Sequence, residues 1–170
     1  QVEIPEGATL RYTTDGSTPS RTNGETSETG SFRMTSSRVY RFVPIKDGCL
    51  DSPVVTRSYI RKQQTINMPI VSIVTDPAHL YDSKIGFFVK GTNGRAGKGT
   101  AELCNWNMDW DRPVNIELIT QDNVCQLNQE VWMSRCGGHS KGFTPMSFKV
   151  RASKDFDGQN TLDYAFFPDL

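Results

Sequence analysis

The sequence predicts a mostly β protein, and three observations carry that prediction. No stretch of ten or more residues keeps apolar side chains at i, i+3 and i+4, which rules against long amphipathic helices. Several stretches instead alternate apolar and polar residues with period two, the mark of a strand with one buried face. Finally, 14 glycines and 9 prolines punctuate the 170 residues, as turns between short strands require.

In Thr9-Leu10-Arg11-Tyr12-Thr13-Thr14 the apolar Leu10 and Tyr12 alternate with polar neighbours, and Asp15-Gly16 offers a turn after them. Ser17 to Ser31 has no aliphatic or aromatic side chain and reads as a loop. Arg38 to Pro44 and Val54 to Ile60 are rich in β-branched and aromatic residues and read as strands, with Asp47-Gly48 as a tight turn between them. The apolar-free Arg61-Lys62-Gln63-Gln64-Thr65 reads as an extended connector, which places a boundary between residues 1–62 and 63–170. Short strands spaced by turns over about 60 residues predict a small β-sandwich, which the resemblance given below implies is Ig- or fibronectin-III-like. A complete one runs to about 100 residues, so an opening strand is expected upstream of Gln1.

In the second segment Ile70 to Val74 is a short apolar strand, stopped by Thr75-Asp76-Pro77. Thr75 or Asp76 can cap a helical turn from Ala78 to Tyr81, with Pro77 at its first position. Gly86 to Val89 reads as a further strand. Gly91 to Thr100 holds glycines at 91, 94, 97 and 99 and is expected to be mobile unless a partner orders it. Pro113–Thr120 and Val124–Ser134 predict a hairpin turning at residues 121–123, and Met146 to Ala152 a last strand. The tail ends on Phe166-Phe167-Pro168-Asp169-Leu170, apolar residues expected to be exposed where a continuation of the chain packs.

Charge excludes some partners. With 19 basic and 19 acidic residues and a pI near 6.9, and no Lys/Arg run of five or more, the chain lacks the basic surface on which nucleic-acid binding depends. The longest apolar stretch, Met68 to Val74, is far short of the roughly 20 residues that cross a bilayer as a helix.

Four groups of residues are candidates for chemistry. Cys49, Cys104, Cys125 and Cys136 show no C-x-x-C spacing, which argues against structural zinc; packed or free thiols and a disulfide within the second segment both remain open. His79 and His139 sit in no nucleophile motif, and G-x-S-x-G is absent. Asp109 and Asp111 flank Trp110, with Trp106 four residues earlier. Paired acids beside aromatic rings fit a glycosidase cleft or a sugar platform. They equally fit tryptophans filling a β core, with the acids paired to Arg112 or a lysine. Gly137-Gly138-His139-Ser140-Lys141-Gly142-Phe143 is a glycine-rich turn after a strand, carrying a lysine, and can cradle phosphate. It lacks the Walker A order, and a turn needing positive φ explains the same glycines.

Two resemblances extend this reading. Tyr12-Thr13-Thr14-Asp15-Gly16-Ser17-Thr18-Pro19-Ser20 resembles the signature of the chitobiase/β-hexosaminidase C-terminal-type domain, a sandwich appended to bacterial secreted enzymes. That resemblance implies an accessory module without catalytic residues. The second segment resembles the N-terminal part of the CotH-type spore-coat kinase family, through Pro69 to Ile73 leading to Thr75-Asp76-Pro77, Leu80-Tyr81-Asp82, Gly86, Val89 and Gly91. Trp110-Asp111-Arg112-Pro113-Val114 and Gly137 to Phe143 with Ser147-Phe148-Lys149-Val150 continue the match. In that family the last block is similar to an ATP-side loop and strand of an atypical protein-kinase-like fold.

The resemblance implies that Gly138, Ser140, Lys141 and Lys149 face a nucleotide. It also implies that ATP and Mg belong to the parent protein, with no cofactor in this portion alone. Met146 stands where the family commonly has a lysine, and Met cannot replace an ammonium at a phosphate. The family's catalytic and metal-binding aspartates lie beyond a block like Tyr164 to Asp169, so this portion is expected to be a non-catalytic scaffold, a β-rich, incomplete kinase-like N-terminal subdomain. Its partner is then the remainder of its own chain past residue 170, in an extracellular, periplasmic or cell-surface protein. The alternative is a carbohydrate-binding or adhesion module, with Trp106 and Trp110 as the platform and surface proteins or glycans as partners.

Overall fold

A computed structural model describes residues 1–61, 67–97 and 100–166. The mostly β prediction holds, and two four-stranded antiparallel sheets dominate.

The first sheet takes the order β2-β1-β3-β4, from β1 (Thr9–Thr13), β2 (Glu25–Ser27), β3 (Arg38–Ile45) and β4 (Val55–Tyr59). Because side chains alternate across a strand, β1 and β3 turn Leu10, Tyr12, Tyr40 and Phe42 to one face, where Val2, Ile4 and Phe32 cover them. Tyr40 and Phe42 stack with ring centroids 5.4 Å apart, and Phe32 meets Tyr12 edge-on at 4.9 Å. The loop predicted over Ser17 to Ser31 contains β2. Its three polar residues bury no apolar face and belong to the sheet only through pairing with Leu10 to Tyr12, so no hydrophobic alternation announces them.

The second sheet takes the order β10-β9-β8-β5, from β5 (Ile70–Val74), β8 (Asp111–Ile119), β9 (Cys125–Arg135) and β10 (Phe148–Arg151). Val114, Ile116 and Leu118 of β8 and Leu127, Val131 and Met133 of β9 share a face and form the main core with Phe87. The opposite face carries Asn115, Glu117, Asn128 and Glu130. Asn123, at a φ of 67°, turns the hairpin between β8 and β9. A two-stranded ribbon, β6 (Arg95–Gly97) and β7 (Thr100–Cys104), stands beside the sheet.

Helix α1 (Pro77–Tyr81) begins as expected. Asp76 is the cap, accepting from the Ala78 N–H at 2.8 Å, and Pro77 opens the helix. A second short helix, α2 (Lys154–Asp157), is capped by Ser153 and closed by Gly158. The strand predicted at Gly86 to Val89 does not form. The Phe87 and Phe88 N–H groups donate to the His79 and Leu80 carbonyls of α1, so this apolar run drives an aromatic anchor into the core instead of pairing in a sheet. The predicted connector lies, apart from Arg61, outside the described residues, as do Phe167 to Leu170; Phe166 is 44% exposed. All four cysteines are free thiols. Among the described residues no helix is long and apolar enough to cross a membrane.

His79 carries a testable pH dependence. The single hydroxyl proton of Thr75 goes to the Pro113 carbonyl at 2.7 Å, so His79 Nδ1–H donates to Thr75 Oγ1 at 2.9 Å. Burial pushes the imidazole pKa down, against a smaller opposing pull from Asp76. Its neutral form is therefore the folded form, and unfolded chains bind the proton more readily. The stability from this site is complete above the ordinary histidine pKa of about 6.5 and is lost as pH falls through the depressed folded value. The urea midpoint should drop between pH 7.5 and 5.5, and His79→Gln should flatten that drop. An unchanged slope in the variant refutes this reading.

Candidate functional site

The glycine-rich loop after β9 is built from the strand end inward. Gly137 adopts a φ of +97°, residues His139–Gly142 form a short 3-10 turn, and the chain then runs to β10. The turn needs its glycine, as the positive φ shows, and the loop borders a cleft. Arg135, 4% exposed, fastens it from below. Its guanidinium donates to the Ser147 carbonyl at 2.5 Å and to the Lys141 carbonyl, and lies 5.3 Å from the centre of the Phe88 ring.

Facing the loop is the β6–β7 ribbon, whose first strand lies in the glycine-rich stretch Gly91 to Thr100. Residues 91–97 are ordered by two buried asparagines of the 3-10 turn Asn105–Asn107. Asn105 Nδ2 donates to the Ser83 and Gly86 carbonyls at 3.0 and 2.9 Å, and its Oδ1 accepts from the Asn93 N–H at 3.0 Å. Asn107 Nδ2 donates to the Arg95 carbonyl at 3.0 Å, and Arg95 Nε donates back to the Asn107 carbonyl at 2.9 Å. Backbones meet so closely here that a Cβ on Gly94 would stand 2.0 Å from the Cys104 carbonyl carbon. Gly91, Gly94 and Gly97 thus serve close approach. Gly99 lies outside the described residues.

Between ribbon and loop lies a polar cleft of about 660 Å³, lined by Arg95, Ala96, Gly97, Asn107, Gly137, Gly138 and Lys141. Asp109 joins its two cations, contacting the Arg95 guanidinium directly and lying 3.5 Å from Lys141 Nζ. The Arg95 hydrogen bond, reinforced by Lys141, holds the Asp109 carboxyl below its ordinary range. The cleft therefore has two cations against one acid, an excess of one positive charge beside glycine backbone. This arrangement suits an oxyanion that takes over the cations from Asp109.

Of the residues singled out from sequence, Gly138 and Lys141 line this cleft, and Ser140 sits in the same loop with its Oγ turned toward Gly137. Lys149 does not line it; it is exposed on β10, opposite Ser134. Trp106 is half-buried under the loop, its indole about 3.5 Å from where a Gly142 Cβ would be. Trp110 is half-buried against the main core, with the Arg112 guanidinium 4.8 Å over its ring. Both rings are thus half-buried, neither fully covered nor fully open. Asp111 pairs with Arg151 at 3.2 Å. Sequence reading missed Arg95 and Asn107. The available signal was an arginine among closely spaced glycines, Gly91 to Gly99, a composition shared by flexible loops and by ribbons that pack tightly.

Among the described residues no three His, Cys, Asp or Glu side chains come together as a metal site.

No curated protein and no solved structure matches the chain. Over residues 1–56, which hold β1 to the start of β4 and the Tyr12-to-Ser20 signature, the chain matches the family model of the chitobiase/beta-hexosaminidase C-terminal domain.

Proposed function

We propose that residues 67–166 are the phosphate-side scaffold of a CotH-like domain, in a parent that resembles an atypical ATP-dependent protein kinase at the cell surface or outside the cell. The supporting observation is the cleft in which Arg95 and Lys141 converge beside Gly137 and Gly138. ATP supplies the transferable phosphoryl group in such a protein. In this chain Arg95 and Lys141 hold its phosphate oxygens, the glycine loop lets them approach the backbone, and Arg135 keeps the loop in place. The part proposed for these cleft residues is to bind and orient the phosphates.

Calorimetric titration of ATP, with and without Mg, into a chain extended past Leu170 tests this. Each charge-assisted contact contributes about 1.5–3 kcal/mol, so Arg95→Ala and Lys141→Ala should each weaken binding by roughly tenfold to a hundredfold. Absence of ATP binding by the wild-type chain, or binding indifferent to both substitutions, would sink the reading.

A second reading, a carbohydrate-associated or adhesion module, is supported by the match of residues 1–56 to a domain named from sugar-cleaving enzymes. A glycan array silent for the wild-type chain would remove it.

A further inference from the structure

We propose that the Asp15-to-Pro19 signature loop is a docking element that locks the first sheet onto the second, so that the two units unfold as one body. The loop is first made rigid on its own. Thr13 Oγ1 donates to the Ser17 carbonyl at 2.5 Å, Asp15 Oδ1 accepts from the Ser17 N–H and hydroxyl at 2.9 and 2.6 Å, and Asn23 Nδ2 donates to the Thr18 carbonyl at 2.8 Å.

The loop then meets the second unit with backbone against backbone. Gly16 holds a φ of +89°, and a Cβ there would stand 2.5 Å from the Thr75 carbonyl oxygen at the corner between β5 and α1. Only glycine satisfies both the angle and the contact. The second constraint comes from the other unit and has no bearing on how the loop folds alone.

Arg41 completes the joint. It is 5% exposed, donates to the Gly16 carbonyl at 3.1 Å and to Thr18 Oγ1 at 3.0 Å, and reaches Glu130 of β9 at 3.6 Å. Burial lowers the Arg41 pKa and raises that of Glu130; the arginine side chain is 6% and the glutamate side chain 37% exposed, so the arginine is the partner withdrawn from water. Removing one partner of such a pair strands the other. Two further bonds cross the same face: Asn128 Nδ2 donates to the Thr56 carbonyl at 2.9 Å, and the Ser58 and Ser72 hydroxyls lie 2.7 Å apart. Arg41 Nε, Asn115 Oδ1 and Glu117 Oε2 are buried at this joint without a protein partner. A joint of this composition sets register more than it adds stability.

The inference does not depend on nucleotide binding, and its test reads only unfolding. All three tryptophans, 106, 110 and 132, belong to the second unit, so their fluorescence reports that unit alone, whereas far-UV circular dichroism reports both. In urea the two signals should share one midpoint in the wild-type chain, and Gly16→Ala should move both downward together. Glu130→Ala supplies the reciprocal, since it leaves the first unit chemically intact. Hydrogen exchange of the Tyr40 and Phe42 amides should then accelerate roughly tenfold or more. Separate midpoints in the wild type, a Gly16→Ala chain whose tryptophan midpoint stays in place, or unchanged exchange in Glu130→Ala would each overturn the proposal.

Discussion

Phe87→Ala is expected to lower the stability of the chain by about 3–5 kcal/mol, read as a fall in the urea midpoint followed by tryptophan fluorescence. The Phe87 side chain is 0% exposed, and it fills the space between Val114, Ile116 and Leu118 of β8 and Leu127, Val131 and Met133 of β9. The ring also meets Phe88 edge-on at 4.9 Å, and its N–H is tied to the His79 carbonyl at 3.1 Å. With the backbone held by α1, the surrounding strands cannot collapse into the vacated space, and a cavity term adds to the lost transfer energy. Native domains are stable by only about 5–15 kcal/mol, so a loss of this size brings the variant close to unfolding. A change below about 1 kcal/mol would mean that the site collapses freely, contrary to this packing.

That same residue shows where sequence reading succeeds and where it stops. Strand β3 is legible because it is rich in β-branched and aromatic residues, and β8 and β9 because Val114, Ile116 and Leu118 and Leu127, Val131 and Met133 place apolar side chains on one face. Helix α1 was legible through chemistry: an Asp cap and a proline at the first position. Gly86 to Val89 misled because a short apolar run has the same composition whether it pairs in a sheet or plugs a core. What decided the outcome was the pair of carbonyls at the end of α1, which sequence does not place. The three polar residues of β2 carried no burial signal at all. In the polar cleft the loop glycines and Lys141 were foreseen as a group, since they are contiguous. Arg95 lies 46 positions before Lys141, and only the ribbon brings them together around Asp109. Asn105 and Asn107 were invisible for a different reason: a buried asparagine satisfied by distant carbonyls looks, in sequence, like any loop residue.

Those asparagines carry the second large effect. Asn105→Ala is expected to cost about 3–5 kcal/mol, because three backbone groups lose their partner at once and each buried group left unpaired costs about 1–3 kcal/mol. The residue is 0% exposed, and its amide serves the Ser83 carbonyl, the Gly86 carbonyl and the Asn93 N–H. Asn105→Asp discriminates hydrogen bonding from packing, since it keeps the shape and the acceptor but replaces the donor with an oxygen facing two carbonyls. It should be at least as damaging as alanine at neutral pH; if it were mild, the assigned donor bonds would be wrong. The damage should also reach the cleft. Asn105 begins the turn whose last residue, Asn107, exchanges hydrogen bonds with Arg95, so loosening the turn frees the arginine. Under conditions where the Asn105→Ala chain remains folded, its affinity for ATP should fall toward that of Arg95→Ala. Hydrogen exchange should rise first and most at the Phe87 and Asn93 amides, with the Tyr40 and Phe42 amides of the first sheet accelerating only as far as the shared global unfolding does.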